Sequence, residues 1–587
     1  MHHAVTAPEQ TAMTAASDQL HKHAPWLLLA IFAYCVVVSA VCRPAVPFYL
    51  DDVMMRDTNL LLSSLQPTIA DLKRFYWGML SFRYGALPYV AQNVYYAIVG
   101  EFLPLSGASI SAFNGVLTGL AAIAAFGVGR LLGGVRLGLM MALALALFPW
   151  MAAVSRGMAF NGTLMILLQI TLLYLALKLA REPQRAVWPA LLSCVLGLYL
   201  FVALDAIIFL FFLFLILLFT GGLKRALFTP FVLIPLGALA LSFYWTAFQY
   251  GQGGSLNILF LPLIKLAPGL FGVSPSDAAP PPFAAEKVVR FLSWSFGPPL
   301  LLMAYGAYSA MRGGRNLPIT APDGHALLKR VAPILLLWSL LLLTMMILKA
   351  GQRPDHKELP VVYAFIGGAP FAFIAALGYA ALPRRALIAI AVLMSAMQFT
   401  VLQTDLYAKL WWRQSPDDQR VFAMAAYLIE KRPDLLTEDK IAFLPRNQPA
   451  NVGVHARGRM TRIVMPDYLP ATHELATASR GDTLGFLQAV ERRDVIPAHW
   501  LVFTPELFGS EGGAFFARLR DDPRVVWKVR LRDPAGREIW LAEVEPERTE
   551  AAPIPAYADA EPWATSYRER YNRKDFLVRN LDLSKTY

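Results

Sequence analysis

Two neighbouring carboxylates and four basic residues lie in short polar stretches beside long apolar runs of the chain. Asp51-Asp52 follows the first apolar run, Arg156 lies between the third and the fourth, and Arg353, His356 and Lys357 precede the tenth. A carboxylate can accept the proton of an attacking hydroxyl. Cations stabilise the charge that collects on a departing phosphate, and a planar guanidinium can bind two phosphate oxygens. The set therefore contains the groups needed to move a sugar from a lipid phosphate to a hydroxyl.

Each of these residues also has a purely structural interpretation. The acidic pair could be a solvated turn, since carboxylates usually face water. Arg156 could extend its charge to the membrane surface, and Arg353, His356 and Lys357 could bind lipid headgroups. His356 by itself does not indicate a metal site, because no second His or Cys stands at ligand spacing. A divalent metal held by Asp51 or Asp52 stays open.

The elements that must position these residues are membrane spans. Only 16% of the 587 residues are charged and 56% are apolar, whereas a soluble domain carries about a quarter charged residues. Apolar runs of spanning length predict about eleven helices, near positions 25–42, 110–129, 137–153, 162–179, 187–203, 206–222, 228–247, 291–311, 331–349, 361–381 and 386–402. Asp205 falls between the fifth and sixth runs, where we expect an external turn.

The distribution of Lys and Arg predicts the orientation of these spans. Basic pairs such as Arg130 with Arg136, Lys224 with Arg225 and Arg384 with Arg385 fall in alternate loops. If those loops are cytoplasmic, then residues 1–24 form a cytoplasmic tail, and the protein spans the inner (cytoplasmic) membrane. An odd number of spans places the C-terminal part outside. The first run could also be a cleaved signal peptide, but its weakly charged start favours a retained anchor.

The first external loop, residues 43–109, has helical periodicity of its own. Apolar residues of the segment 72–80 recur at helix spacing among charged ones, and the segment 89–102 is rich in Tyr. Such helices lie flat at the membrane surface. They would hold the acidic pair at the depth of lipid headgroups.

The composition changes sharply after the last span. Residues 1–402 carry 26 Lys and Arg against 14 Asp and Glu, while residues 403–587 carry 27 of each sign. The net charge of +12 therefore lies in the membrane part, where it reflects topology and not a nucleic-acid partner. The three cysteines all lie in or beside apolar runs, so the C-terminal part has no disulfide framework.

Residues 403–545 predict a small extracytoplasmic α/β domain. An amphipathic helix is expected over 419–431, and short strands over 440–444, 462–465, 500–503, 525–529 and 538–544. Helical stretches over 484–492 and 513–519 are expected between them. Residues 546–587 are polar and predict an irregular tail. We find no nucleotide-binding loop, catalytic triad or Cys/His cluster in this part of the sequence.

The order of these parts resembles the GT-C membrane glycosyltransferases. The residues Leu87-Pro88-Tyr89, Gly129 to Gly133, Phe148-Pro149 and Ser155-Arg156 look like the group of protein mannosyltransferases and lipid A aminoarabinose transferases. In that group the acidic pair is usually Asp-Glu, and here it is Asp51-Asp52. The run His356-Lys357-Glu358 is similar to part of a motif in the mannosyltransferases that build GPI anchors, which continues there toward Arg-Phe and here as Leu359-Pro360.

This resemblance implies a GT-C fold and an inverting transfer of a hexose or pentose from a polyprenyl-phosphate donor. It implies Asp51 as the general base, with Asp52 positioning it or a metal. Arg156, Arg353, His356 and Lys357 would bind the donor phosphate, and the acceptor would be a hydroxyl of a glycan, lipid or protein.

Two other classes of function remain open at this point. A transporter or lipid flippase would also have many spans, but transporters tend to show repeated halves and polar sites at the membrane midplane. We find no internal repeat in this sequence. A non-catalytic assembly or sensor protein would make the acidic pair and the basic loops incidental.

Overall fold

The computed structural model describes most of the predicted helices and part of the C-terminal domain. The described positions are 7–41, 107–151, 161–200, 207–240, 283–311, 324–352, 359–403, 420–436, 441–444, 500–505, 517 and 519–571. They fall into two compact units. We call them the membrane unit, which holds the helices before residue 404, and the sheet unit, which holds the elements after residue 419.

The described helices of the membrane unit cover all the predicted apolar runs in whole or in part. They are α1 (Ala7–Val41), α2 (Gly107–Gly133), α3 (Val135–Leu147), α4 (Asn161–Arg181), α5 (Val187–Leu200), α6 (Ile207–Phe219), α7 (Leu223–Leu227), α8 (Pro230–Ala240), α9 (Ala285–Phe296), α10 (Pro299–Met311), α11 (Gly324–Gln352), α12 (Leu359–Ala380) and α13 (Arg384–Gln403).

The composition of these helices is that of a multi-pass membrane protein. Among the described residues, four helical segments are long and apolar enough to span a bilayer, namely His21–Ala40, Ala112–Gly133, Gly162–Arg181 and Gly324–Leu348. Shorter apolar helices accompany them, so the predicted count of about eleven spans is not confirmed. Large apolar side chains point outward, for example Phe211, Phe214 and Phe219 on α6. In a bilayer these faces contact lipid, where their exposure carries no cost.

The run predicted as one span over 291–311 is two helices in the structure. Helix α9 ends at Phe296, and α10 begins at Pro299. Gly297 between them has φ of 60°, a region open to glycine but not to bulkier residues, and Pro298 lacks the N–H that would continue the helix. The chain therefore bends inside an apolar run, and hydropathy alone does not show the bend.

The fifth and sixth runs are separate helices, as predicted. Helix α5 ends at Leu200 and α6 begins at Ile207. Asp205 itself lies outside the described residues, as does most of the loop 43–109 with its expected interfacial helices.

Contacts between helices define one end of the membrane unit, which we call the distal end. A Cβ added at Gly115 in α2 would lie 2.8 Å from the Cα atom of Val36 in α1, so the end of α1 meets the start of α2. Thr163 at the start of α4 donates a 2.7 Å hydrogen bond to Asn114. Gln398, near the end of α13, binds the end of α3.

The opposite end carries the basic residues of the predicted cytoplasmic loops. Arg136 at the start of α3 donates a 3.2 Å hydrogen bond to the carbonyl of Leu382, just beyond α12. Glu182, just beyond α4, accepts a 2.8 Å bond from Lys178 and lies 3.2 Å from Arg185. The hydrogen bond from Lys178 lowers the pKa of Glu182. The hydrogen bond from Arg136 to Leu382 places two of the predicted basic loops, those after α2 and α12, at the same end.

The sheet unit contains a mixed five-stranded sheet in the order β1-β2-β4-β3-β5. Its described elements are α14 (Arg420–Lys431), β1 (Ile441–Leu444), β2 (Trp500–Phe503), β3 (Val525–Arg532), β4 (Glu538–Val544), β5 (Tyr557–Asp559) and α15 (Glu561–Tyr571). The predicted α/β character, helix α14 and strands β1 to β4 are confirmed. The strand expected over 462–465 and the helix expected over 484–492 lie outside the described residues.

The expectation of an irregular tail after Glu545 is wrong for residues 557–571, which form β5 and α15. Strand β5 pairs in parallel with β3. Tyr557 lies between two guanidinium groups, 3.5 Å from Arg530 and 3.5 Å from Arg532, and Arg530 also lies 4.0 Å from the ring of Trp540. This layered contact fixes a strand too short for local sequence to indicate.

A carboxylate supports the same contact. Glu538 accepts hydrogen bonds from Arg532 at 2.6 Å and from the indole of Trp540 at 2.9 Å. Burial by itself would raise the pKa of Glu538, but hydrogen bonds from Arg532, Tyr557 and Trp540 lower it overall. A lowered pKa in the folded state means that the carboxylate stabilises this edge at neutral pH. That contribution is lost when acid protonates it.

Replacing Tyr557 by Ala should loosen β5 while leaving the rest of the sheet folded. Cation–π contacts contribute about 0.5–2 kcal/mol each, so local opening should become roughly tenfold or more frequent. The backbone N–H of Ala560, which bonds the Arg532 carbonyl at 2.9 Å, should then exchange with deuterium about tenfold faster. Ile554→Ala, which removes an exposed side chain three positions earlier, is the control. Unchanged exchange at Ala560 in Tyr557→Ala would contradict this account.

Candidate functional site

All six residues nominated from the sequence lie outside the described residues. These are Asp51, Asp52, Arg156, Arg353, His356 and Lys357. Their proposed roles therefore stay predictions. The structure instead describes the helices that lead into and out of the segments that carry them.

Those helices bring the flanks of the three segments to the distal end. Helix α1 ends at Val41, ten positions before Asp51, and the turn of helix after α3 ends at Met151, five positions before Arg156. Helix α11 ends at Gln352, immediately before Arg353, and α12 begins at Leu359. The first half of α12 packs against the first half of α4 and the second half of α11, so the start of α12 also lies at the distal end. A Cβ added at Gly368 would lie 3.1 Å from Ile166, and one added at Gly367 would lie 3.2 Å from Leu342.

Buried polar side chains join the helices at the distal end. Asn114 and Thr163 are fully buried and join α2 to α4 by their 2.7 Å bond. Thr118 donates to the Asn114 carbonyl at 2.9 Å. In hydrocarbon surroundings such bonds fix how two helices pack, because an unpaired polar group there is costly. The distal end is therefore held by specific hydrogen bonds as well as by apolar packing.

Gln398 joins three helices at this end. It is fully buried on α13, and its Nε2 donates to the carbonyls of Ala146 at 3.1 Å and Phe148 at 3.0 Å. Its Oε1 accepts a hydrogen bond from the hydroxyl of Tyr34 on α1. The last carbonyls of a helix have no partner within it, so this one amide caps α3 and ties it to α1 and α13. The cap fixes the point from which the segment with Arg156 departs.

An aromatic cluster lies beside this cap. The ring of Phe148 stacks on Trp150 with centroids 5.5 Å apart, and it meets Phe296, at the end of α9, edge-on at 6.0 Å. Phe296 in turn contacts Phe371 of α12 at 5.2 Å. We refer to these four residues as the distal aromatic cluster. It joins the chain just before Arg156 to the bend at Gly297 and to α12.

Sequence reasoning missed both the cap and the cluster. A single Gln or Asn in an apolar helix has no visible partner until the fold supplies one. Aromatic residues in spans usually reflect packing. The one available signal was Phe148-Pro149-Trp150, where a proline follows the helix and turns the chain.

Replacing Gln398 by Leu should destabilise the membrane unit by about 1–3 kcal/mol, because it leaves buried carbonyls and the Tyr34 hydroxyl without these bonds. The measurement is thermal unfolding of the purified protein in detergent, in a double-mutant cycle with Tyr34→Phe. Tyr34→Phe should cost less in the Gln398→Leu background than in the wild type. Additive effects of the two changes would mean that this hydrogen bond contributes nothing.

No metal site is evident in the described part of the chain, since no three His, Cys, Asp or Glu side chains come together there. The free thiol of Cys35 is buried within α1. The described acidic residues with lowered pKa values all pair with nearby arginines or lysines, for example Asp434 with Arg432 and Asp521 with Arg520 in the sheet unit. These surface pairs are structural and offer no catalytic group.

No protein-family model and no curated protein sequence matches the chain. Solved structures do. ArnT from Cupriavidus metallidurans in the apo state is 13% identical, with a TM-score of 0.55 over 90% of this chain and 99% of that one. The same protein bound to undecaprenyl phosphate gives a TM-score of 0.54, again over 90% and 99% of the two chains at 13% identity.

The apo oligosaccharyltransferase from Archaeoglobus fulgidus, also 13% identical, gives a TM-score of 0.50 over 88% of this chain and 74% of that chain. Both proteins are GT-C glycosyltransferases. At this identity the likeness concerns the fold. The fold expected from the sequence resemblance is thus confirmed: this chain is a multi-pass membrane protein with the fold of the GT-C glycosyltransferases.

Proposed function

We propose that this protein is a membrane glycosyltransferase that moves a sugar from a polyprenyl-phosphate donor to a hydroxyl acceptor. The observation that carries the proposal is the arrangement of helix ends. Inside a GT-C fold, the helices that flank Asp51, Arg156 and Arg353 all end at the distal end. The segments that carry Asp51, Arg156 and Arg353 therefore each begin at a helix end on this side of the membrane unit, which supports a shared role in transfer from a lipid phosphate.

In this proposal Asp51 accepts the proton of the acceptor hydroxyl as its oxygen attacks the anomeric carbon. The bond to the phosphate oxygen breaks at the opposite face of the sugar, so the anomeric configuration inverts. Asp52 positions Asp51 or holds a divalent metal. A general base of this kind contributes about 10²- to 10⁴-fold to the rate.

Arg156, Arg353, His356 and Lys357 bind the phosphate that leaves. The departing polyprenyl phosphate gains negative charge as the bond breaks, and fixed cations stabilise that charge in the transition state. Arginine suits this role because its guanidinium matches two phosphate oxygens and stays charged at any relevant pH.

The distal end faces away from the cytoplasm in this proposal. Arg136, Lys178 and Arg185 lie at the other end, where few acidic residues of the sequence balance the basic loops. The excess of Lys and Arg marks the cytoplasmic side of inner-membrane proteins. The sheet unit would then lie outside the cytoplasm, and both donor and acceptor would be used there.

Transfer from a panel of labelled donors tests the proposed class of reaction. The purified protein in detergent should transfer label from a sugar carried on polyprenyl phosphate, and not from the same sugar carried on a nucleotide diphosphate. Unlabelled undecaprenyl phosphate should compete with the donor. Transfer from the nucleotide sugar alone would refute the lipid donor, and flux of an intact lipid across vesicles without transfer would identify a flippase.

A further inference from the structure

The indole N–H of Trp150 is a buried hydrogen-bond donor that has no acceptor in the described structure. Its side chain is 1% exposed, and its Nε1–H makes no hydrogen bond in the described structure. It lies in the short turn of helix after α3, six positions before Arg156. It therefore belongs to the distal end, beside the segments that carry the proposed chemistry.

A buried N–H without an acceptor is uncommon in folded proteins. More than nine in ten buried polar groups find a partner, and the exceptions often mark a place for a water or a ligand. An unpaired indole N–H at the distal end, where the segments with the proposed site residues begin, suggests that an acceptor oxygen arrives from outside the chain.

The position of Trp150 is fixed before any ligand arrives. Its ring stacks on Phe148, and the Phe148 carbonyl accepts both the amide of Gln398 at 3.0 Å and the backbone N–H of Met151 at 3.0 Å. The Phe148 ring is held in turn by Phe296. Because the Trp150 side chain is already held in place, it loses little conformational freedom when its N–H binds a ligand.

A second tryptophan in the membrane unit provides a comparison. Trp338 is also fully buried with an unpaired Nε1–H. It lies in the middle of α11, stacked on Phe212 at 5.3 Å and beside Phe209 at 5.6 Å. Since its position is far from either end of α11, its unpaired N–H reflects packing.

We infer that Trp150 binds the lipid substrate, and that its indole N–H donates a hydrogen bond to a phosphate oxygen of the polyprenyl phosphate. This inference rests on the proposed function, because it assumes that lipid phosphates bind at the distal end. An anionic phosphate oxygen is the strongest acceptor that such a substrate offers a neutral N–H. The residue would add a short-range, directed contact to the cations proposed above.

The test is direct binding of undecaprenyl phosphate to the full-length protein in detergent. Trp150→Phe removes the N–H and keeps an aromatic ring, and Trp338→Phe is the matched control. We expect Trp150→Phe to weaken binding about tenfold or more, as for a lost hydrogen bond to a charged group. Trp338→Phe should bind like the wild type. Undecaprenol, which lacks the phosphate, should bind equally to all three proteins.

Wild-type affinity in Trp150→Phe would overturn the inference. If Trp150→Phe loses as much affinity for inorganic phosphate as for undecaprenyl phosphate, the residue binds free phosphate. That result would overturn the assignment to a lipid. If Trp150→Phe does not fold, benzothienylalanine at position 150 keeps the two-ring shape without the N–H and should show the same loss. Failure of the wild type to bind undecaprenyl phosphate at all would refute the proposed donor class, a result distinct from failure of Trp150 alone.

Discussion

Asp51→Asn should abolish sugar transfer almost completely while leaving the protein folded and able to bind its donor lipid. The asparagine side chain keeps the shape of aspartate but cannot accept a proton, so the rate should fall by about 10²- to 10⁴-fold. The measurement is initial rate at saturating donor, together with binding of undecaprenyl phosphate. Unchanged binding with a lost rate would assign Asp51 to the chemical step and not to donor recognition.

A matched control for this prediction lies in the same loop. Asp57→Asn removes one negative charge six positions later, so it reports any general effect of charge in this segment. Asp57→Asn should keep a rate close to that of the wild type. Asp51→Asn with full activity would contradict the assignment of the base, and a loss confined to Asp52→Asn would transfer the role to that residue.

Gly306→Ala should strongly destabilise the membrane unit. Helices α10 and α12 approach each other so closely that a methyl group at Gly306 would overlap the backbone carbonyl oxygen of Ile374. The reciprocal contact joins Gly378 to the carbonyl of Leu302. Backbone atoms cannot rotate away, so the two helices must separate, at a cost of about 3 kcal/mol. We expect a fall in melting temperature of about 3–4 °C in detergent.

Another glycine separates this clash from the general effect of adding a methyl group to a helix. A Cβ at Gly237 in α8 would have no atom within 4 Å. Gly237→Ala should leave the melting temperature unchanged or raise it slightly, because alanine favours the helix more than glycine does. Equal melting temperatures for Gly306→Ala and the wild type would mean that α10 and α12 do not pack as described.

The sequence predicts the helices and most of the strands because their signals are local. Apolar length identifies the helices, and alternating or continuous apolar residues identify the strands Trp500–Phe503 and Glu538–Val544. The bend at Gly297 was missed because it interrupts an apolar run without changing its hydropathy. Strand β5 was missed because its stability depends on Arg530 and Arg532, which come from another strand.

The candidate site divides in the same way. The types of residue and their loops could be nominated from the sequence, since charge beside a span is a local feature. The residues that organise the distal end could not. Gln398, Asn114 and Trp150 acquire meaning only when the ends of distant helices meet. From the sequence alone, a single polar residue in an apolar helix has no identifiable partner and is assigned only to helix packing.

In the proposed reaction the lipid-phosphate donor is cleaved and its sugar is transferred to the acceptor hydroxyl. The most direct test is a mass balance in proteoliposomes that contain the wild-type protein, a labelled polyprenyl-phosphate sugar and a hydroxyl acceptor. We predict one polyprenyl phosphate released for each sugar transferred, with inverted anomeric configuration in the product. Movement of the intact donor across the bilayer, with neither free polyprenyl phosphate nor a glycosylated product, would contradict the account.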